Sequence, residues 1–142
     1  MTLILDASMA LAWLLYRKDV GEATLAVQAL DVVSATGAIV PALWYLEVAN
    51  ALLLAERQRV ITAQDSASYL ASLSFWEIVQ DTAPPSLYQP EAIHLGRMYN
   101  LTAYDACYLE LAMRRAAVLA TFDRKLAAAA RSAGVRVFGD LV

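Results

Sequence analysis

Apolar residues fall along this chain in short runs separated by polar punctuation, and the runs alternate between two periods. Thr2-Leu3-Ile4-Leu5 is a continuous, partly β-branched run that ends at Asp6, the pattern of a buried strand. Ser8 then stands where a helix from about Met9 to Tyr16 needs an N-cap. A second helix is predicted over Gly21 to Leu30, with Ala23, Val27 and Leu30 on one face, and a short strand over Ala38 to Val40 closes at Pro41. From Ala42 to Arg57 the pattern is one long helix, in which Glu47 and Asn50 are the only strongly polar side chains before Ala55. Such a helix is expected to be buried on most sides.

The second half repeats the alternation. Thr62 with Asp65 has the form of a capping box opening a helix to about Leu73, followed by a strand over Phe75 to Val79. Pro84-Pro85 and Pro90 punctuate the approach to a helix over about Glu91 to Tyr99. A helix over Thr102 to Arg115, a strand over Ala117 to Thr121, a helix over Asp123 to Ala133 and a last strand over Val135 to Phe138 complete the pattern. Strands alternating with helices imply right-handed crossovers. The expected fold is therefore α/β, with three α/β/α layers and a central, mainly parallel sheet covered on both faces. No repeat, low-complexity tract or linker interrupts it, and 142 residues suit one domain over 1–142.

Composition adds an expected surface. With 60% hydrophobic residues and a mean hydropathy of +0.49, so short a chain carries more apolar area than one small core hides. A partner surface is expected, first of all a second copy. A membrane span is not: the longest stretch free of charge, Val32 to Leu46, is short and broken by Gly37 and Pro41. The N-terminal run has no preceding Lys or Arg and is interrupted by Asp6, which argues against an export signal, and a lone Cys107 fits a reducing cytoplasm.

Four carboxylates, Asp6, Glu47, Asp105 and Asp123, lie beside or inside apolar stretches. Ligands in such a sheet gather beyond the carboxyl ends of the strands, where Asp6 and Asp123 are placed. Helix capping is an alternative role for Asp6 and Asp123, and Thr102 to Asp105 also fits a capping box. Glu47 is harder to assign to structure: an ionised carboxylate in an apolar helix needs an Arg or Lys partner or a metal. Converging carboxylates repel and take up protons unless a cation joins them, and an oxygen-only donor set favours Mg²⁺ or Mn²⁺ over zinc. Phosphodiester hydrolysis is the chemistry such a site serves. The net charge of −3 does not oppose a nucleic-acid partner, since without these four acids ten acids face eleven bases.

The motifs Leu5-Asp6-Ala7-Ser8, Glu47-Val48-Ala49-Asn50-Ala51-Leu52, Leu101-Thr102-Ala103-Tyr104-Asp105-Ala106 and Ala120-Thr121-Phe122-Asp123 stand in this order along nearly the whole chain. Together they resemble a PIN-domain ribonuclease, most closely the VapC toxins of bacterial and archaeal toxin–antitoxin pairs. The resemblance implies an acidic pocket of Asp6, Glu47, Asp105 and Asp123, with Asp6 and Asp105 the principal metal ligands and Ser8, Asn50 and Thr121 in support. It also implies Mg²⁺- or Mn²⁺-dependent RNA cleavage, a homodimer, and inhibition by a small antitoxin protein whose tail occupies the active-site groove. A housekeeping PIN nuclease and a non-catalytic PIN module that binds a basic segment are the rival functions.

Arg17-Lys18, Arg57 with Arg59, and Arg114-Arg115 are expected as solvated helix ends. Arg124 and Lys125, directly after Asp123, are expected to reach RNA phosphates. His94 is expected at the surface or core edge, the face of Tyr104, Cys107, Tyr108 and Leu111 in the core, and Trp13, Trp44, Tyr45 and Trp76 as core or dimer anchors.

Overall fold

The computed structural model describes residues 1–140, which form four strands and seven helices. In chain order these are β1 (Leu3–Leu5), α1 (Ala7–Leu11), α2 (Val20–Thr36), β2 (Ala38–Val40), α3 (Leu43–Arg57), α4 (Ala63–Leu73), β3 (Ile78–Gln80), α5 (Pro85–Tyr99), α6 (Ala103–Arg114), β4 (Val118–Ala120) and α7 (Arg124–Ser132). The sheet order is β3-β2-β1-β4, and every pairing is parallel. β1 registers Leu3, Ile4 and Leu5 against Val118, Leu119 and Ala120, and all six are buried. Both central strands read as unbroken apolar runs because helices cover both faces. This is the expected three-layer α/β/α fold.

The strand order reverses at β1, since the chain moves outward through β2 and β3 and then returns to β4 on the other side. The crevice between the carboxyl ends of β1 and β4 is the topological switch point, where such sheets bind ligands.

Several boundaries differ from expectation. Ser8 is not a cap: α1 starts at Ala7, two residues earlier than expected, Asp6 occupies the N-cap position, and the helix ends at Leu11. α2 starts from Asp19, whose carboxylate accepts the Glu22 N–H at 2.8 Å, and continues past Leu30 to Thr36. It stops at Gly37, which has φ 75° and sits so close to the Glu77 carbonyl that an added Cβ would lie 2.5 Å away. α5 begins at Pro85 and contains Pro90; proline is well suited to the first position, and the bond Pro90 omits lies near an exposed helix end. Val135 to Phe138 makes a single parallel bridge, Leu119 to Val137, before the chain turns at Gly139 with φ 107°, so it is not a strand.

α3 is also not buried on most sides. Trp44, Val48, Leu52 and Ala55 face the core, while Leu46 is 76% exposed and Tyr45, Leu53 and Leu54 are exposed as well. The surplus hydrophobicity of the composition therefore lies partly on this open helix face. Tyr108 and Leu111 are buried as expected, but Tyr104 lies outside the core at 67% exposure. Arg114 is no free helix end: it pairs with Asp81 at 2.7 Å and Glu110 at 3.0 Å, and Arg115 joins Asp81 at 3.1 Å. Trp44 is buried, whereas Trp13 and Trp76 pack edge to face with ring centroids 5.7 Å apart. No helix among the described residues is long and apolar enough to cross a membrane.

Candidate active site

Asp6 leaves β1 with extended backbone and its own N–H bonded to the Ala120 carbonyl at 3.0 Å, which joins the ends of β1 and β4. Its carboxylate does not cap α1. Instead Oδ2 accepts two hydroxyls, Ser8 Oγ at 2.9 Å and Thr121 Oγ1. Each hydroxyl is fixed in turn by a backbone donor: the Phe122 N–H reaches Ser8 Oγ and the Asp123 N–H reaches Thr121 Oγ1, both at 2.9 Å. With its single proton directed at Asp6 and an N–H on its oxygen, each hydroxyl acts as a fixed donor. Burial raises the Asp6 pKa from the usual carboxylate value, and these two hydrogen bonds offset part of the rise.

Glu47 projects from the second turn of α3 and is partly buried. No Arg or Lys pairs with it among the described residues; the buried hydroxyl of Tyr108, on α6, donates to Oε1. Burial pushes the Glu47 carboxyl up to about 7, against the pull of that hydrogen bond, and the negative charges of Asp6 and Asp105 add to the rise. Asp105, in the first turn of α6, is pushed up to about 6 by burial and by Asp123 and Asp6, while Lys125 opposes the shift. Its N–H bonds Thr102 Oγ1 at 3.2 Å, but its carboxylate accepts no hydrogen bond among the described residues. Asp123 does cap α7, with Oδ1 accepting the Leu126 N–H at 2.9 Å.

The fold therefore brings all four acids within electrostatic reach at the switch point. They do not stand as a ready cage: among the described residues, no three side chains of His, Cys, Asp or Glu are close enough together to hold a metal ion. Asp6, Glu47 and Asp123 each commit an oxygen to a protein donor. The donors nevertheless suit a hard divalent cation, being all oxygen and already mutually repelling. Asn50 is exposed and makes no side-chain hydrogen bond among the described residues, and Arg124 and Lys125 are exposed beside the site.

Tyr108 is the residue the sequence pattern did not single out for this site. Its position three residues after Asp105 places both on one helix face, and a buried tyrosine hydroxyl requires a partner.

A family model described as the PIN domain matches residues 3–132. The chain belongs to the PIN domain family, a family of nucleases. Among solved structures, this PIN domain is similar to PAE2754 from Pyrobaculum aerophilum, with a TM-score of 0.67 and 21% identity over 99% of this chain and 92% of that one. It is also similar to FitAcB from Neisseria gonorrhoeae, with a TM-score of 0.65 and 16% identity over 96% of each chain. At these identities the likeness is one of fold. No curated protein matches the chain in sequence.

Proposed function

We propose that residues 1–142 form a single PIN domain acting as a VapC-type endoribonuclease, a cytoplasmic toxin neutralised by a cognate antitoxin protein. The observation that carries this reading is the electrostatic convergence of Asp6, Glu47, Asp105 and Asp123 at the β1–β4 switch point, with no Arg or Lys ion-paired to any of them among the described residues. Asp6 and Asp105 are the principal ligands for Mg²⁺ or Mn²⁺, with Glu47 and Asp123 completing the acidic wall. When bound, the cation supplies an acidified water and neutralises charge on the scissile phosphate.

The chain's own groups do the rest. Ser8 and Thr121 hold the Asp6 carboxylate in one orientation. Tyr108 fixes Glu47 by donating its hydroxyl to Oε1. Arg124 and Lys125 attract the RNA backbone on the side of the site that Asp123 lines. The open apolar face of α3 supports a homodimer, and with it a larger assembly that includes the antitoxin.

Purified protein is expected to cut a structured RNA with Mg²⁺ or Mn²⁺ and to stop when a chelator is added, and Asp6→Asn is expected to be inactive in both conditions. Mapping RNA 5′ ends after brief expression of wild type and Asp6→Asn identifies the substrate. Full cutting in chelator defeats the proposal; absence of cutting together with tight binding of a basic peptide assigns the acids to a non-catalytic module.

A further inference from the structure

Arg17, which sequence pattern alone places among solvated helix ends, is held beside the candidate site by two different contacts. Its guanidinium carbon lies 4.4 Å from the centroid of the Phe122 ring. Its Nε and Nη2 both donate to Glu22 Oε2, at 3.1 and 2.7 Å. Phe122 is itself part of the site's framework, since its N–H bonds Ser8 Oγ and its chain neighbours are Thr121 and Asp123. A flexible cation has thus been fixed on the rim of an acidic crevice, on a platform continuous with the residues that orient Asp6.

An arginine carries five N–H donors, and the two bonds to Glu22 leave three without a protein partner among the described residues. The side chain remains about one third exposed, at 36%, so those donors stay accessible to a ligand. Arg124 and Lys125 make no side-chain hydrogen bonds among the described residues and are exposed, so neither is pre-positioned in this way. A stacked guanidinium with free donors loses little conformational freedom on meeting an anion, and its planar fork matches phosphate oxygens.

We propose that Arg17 binds a backbone phosphate of the RNA strand next to the one being cut, with Phe122 as its platform. The inference rests on the nuclease reading for the identity of the strand. Four acids repel an approaching polyanion, and although Glu22 offsets part of the Arg17 charge, the remaining guanidinium donors give a phosphate a local partner at their edge.

The test measures binding of a short single-stranded RNA across a salt series, in Mg²⁺, with Asp105→Asn as the parent so that nothing is cut. Adding Arg17→Gln is expected to weaken binding about tenfold at low salt and to flatten the slope of log affinity against log salt by about 0.7, the loss of one phosphate contact on a single strand. Arg17→Lys, which keeps the charge and loses the planar stack, is expected to keep most of the slope with an intermediate affinity. Melting temperatures of the same variants separate a structural role: a lowered melting temperature with an unchanged salt slope assigns Arg17 to pinning the α1–α2 connection and overturns the proposal. Wild-type protein that cuts RNA alongside an unaltered slope in the variant overturns this proposal alone, whereas a parent that binds no RNA overturns it together with the nuclease reading.

Discussion

Two helices of this PIN domain open with the same pattern, a threonine followed three residues later by an aspartate. At α4, Thr62 Oγ1 accepts the Asp65 N–H at 3.1 Å and the Asp65 carboxylate accepts the Thr62 N–H at 2.9 Å, so the box closes. At α6, Thr102 accepts the Asp105 N–H at 3.2 Å, but the carboxylate does not return the bond. Asp65 is exposed on an isolated helix end, whereas Asp105 is turned into a crevice shared with Asp6, Asp123 and Lys125. Identical local chemistry thus yields a finished cap in one place and a free, proton-hungry carboxylate in the other. The α6 start leaves its acid uncommitted toward the crevice, and metal-assisted catalysis is the use proposed above.

The sharpest way to break this comparison is to remove each acid's charge. Asp105→Asn is expected to lower RNA cleavage at least about 100-fold, since even groups that merely support a metal ligand reach that scale. Asp65→Asn is expected to leave cleavage within about twofold, because solution kinetics should not sense a surface substitution remote from the site. Equal losses in single-turnover assays would erase the distinction between the two helices.

Stability against pH gives an intermediate effect. The folded-state values of Asp105, about 6 against 3.8, and Glu47, about 7 against 4.5, are raised, so the folded protein binds more protons than the unfolded chain between those limits. Their contribution is fully present below the unfolded values and is lost as pH rises through the folded ones. Metal-free protein is therefore expected to melt at a higher temperature at pH 5 than at pH 7.5. Asp105→Asn should flatten the portion up to pH 6, Asp65→Asn should not, and Mg²⁺ at pH 7.5 should recover stability in wild type but less in Asp105→Asn. A melting temperature that rises from pH 5 to 7.5 without metal would contradict the burial of these acids.

The smallest effect lies in the caps. Thr62→Ala and Thr102→Ala are each expected to cost about 1 kcal/mol in denaturant unfolding, the usual value of a threonine cap. Only Thr102→Ala should also slow cleavage, by loosening the turn that carries Asp105. Loss of activity in Thr62→Ala at temperatures where it remains folded would show that α4 is coupled to the site.

Much of the fold was legible because its elements repeat simple periods. β1 and β2 are apolar runs with a strand on either side, β4 is a buried apolar run paired with β1, and burial on both faces writes itself directly into sequence. The misplaced boundaries have a common origin in signals with two meanings. Ser8 looks like a cap but serves Asp6, and Pro90 looks like a stop but lies inside α5. α2 outruns its expected end at Leu30, and in the added turns Ser34 and Thr36 bond their own helix carbonyls without breaking it. Val135 to Phe138 carries strand-like residues but finds only one bridge at the sheet edge.

The candidate acids were visible one at a time as charges beside apolar runs, and their partners were not. Nothing in spacing says that Glu47 is held by Tyr108 at a separation of 61 residues, or that Thr121 donates to Asp6 across 115. Arg114 and Arg17 read alike as surface cations, yet one is locked to Asp81 and Glu110 and the other lies against Phe122. Sequence alone determined the alternation of strands and helices, the oxygen-only character of the candidate donors, and the excess of apolar surface, because each is set by residue type and local period. Tertiary structure alone decided which of two identical threonine–aspartate starts keeps its carboxylate free. That choice depends on desolvation and on the fields of charges brought together by the β1–β4 crossing, and both are properties of three-dimensional proximity.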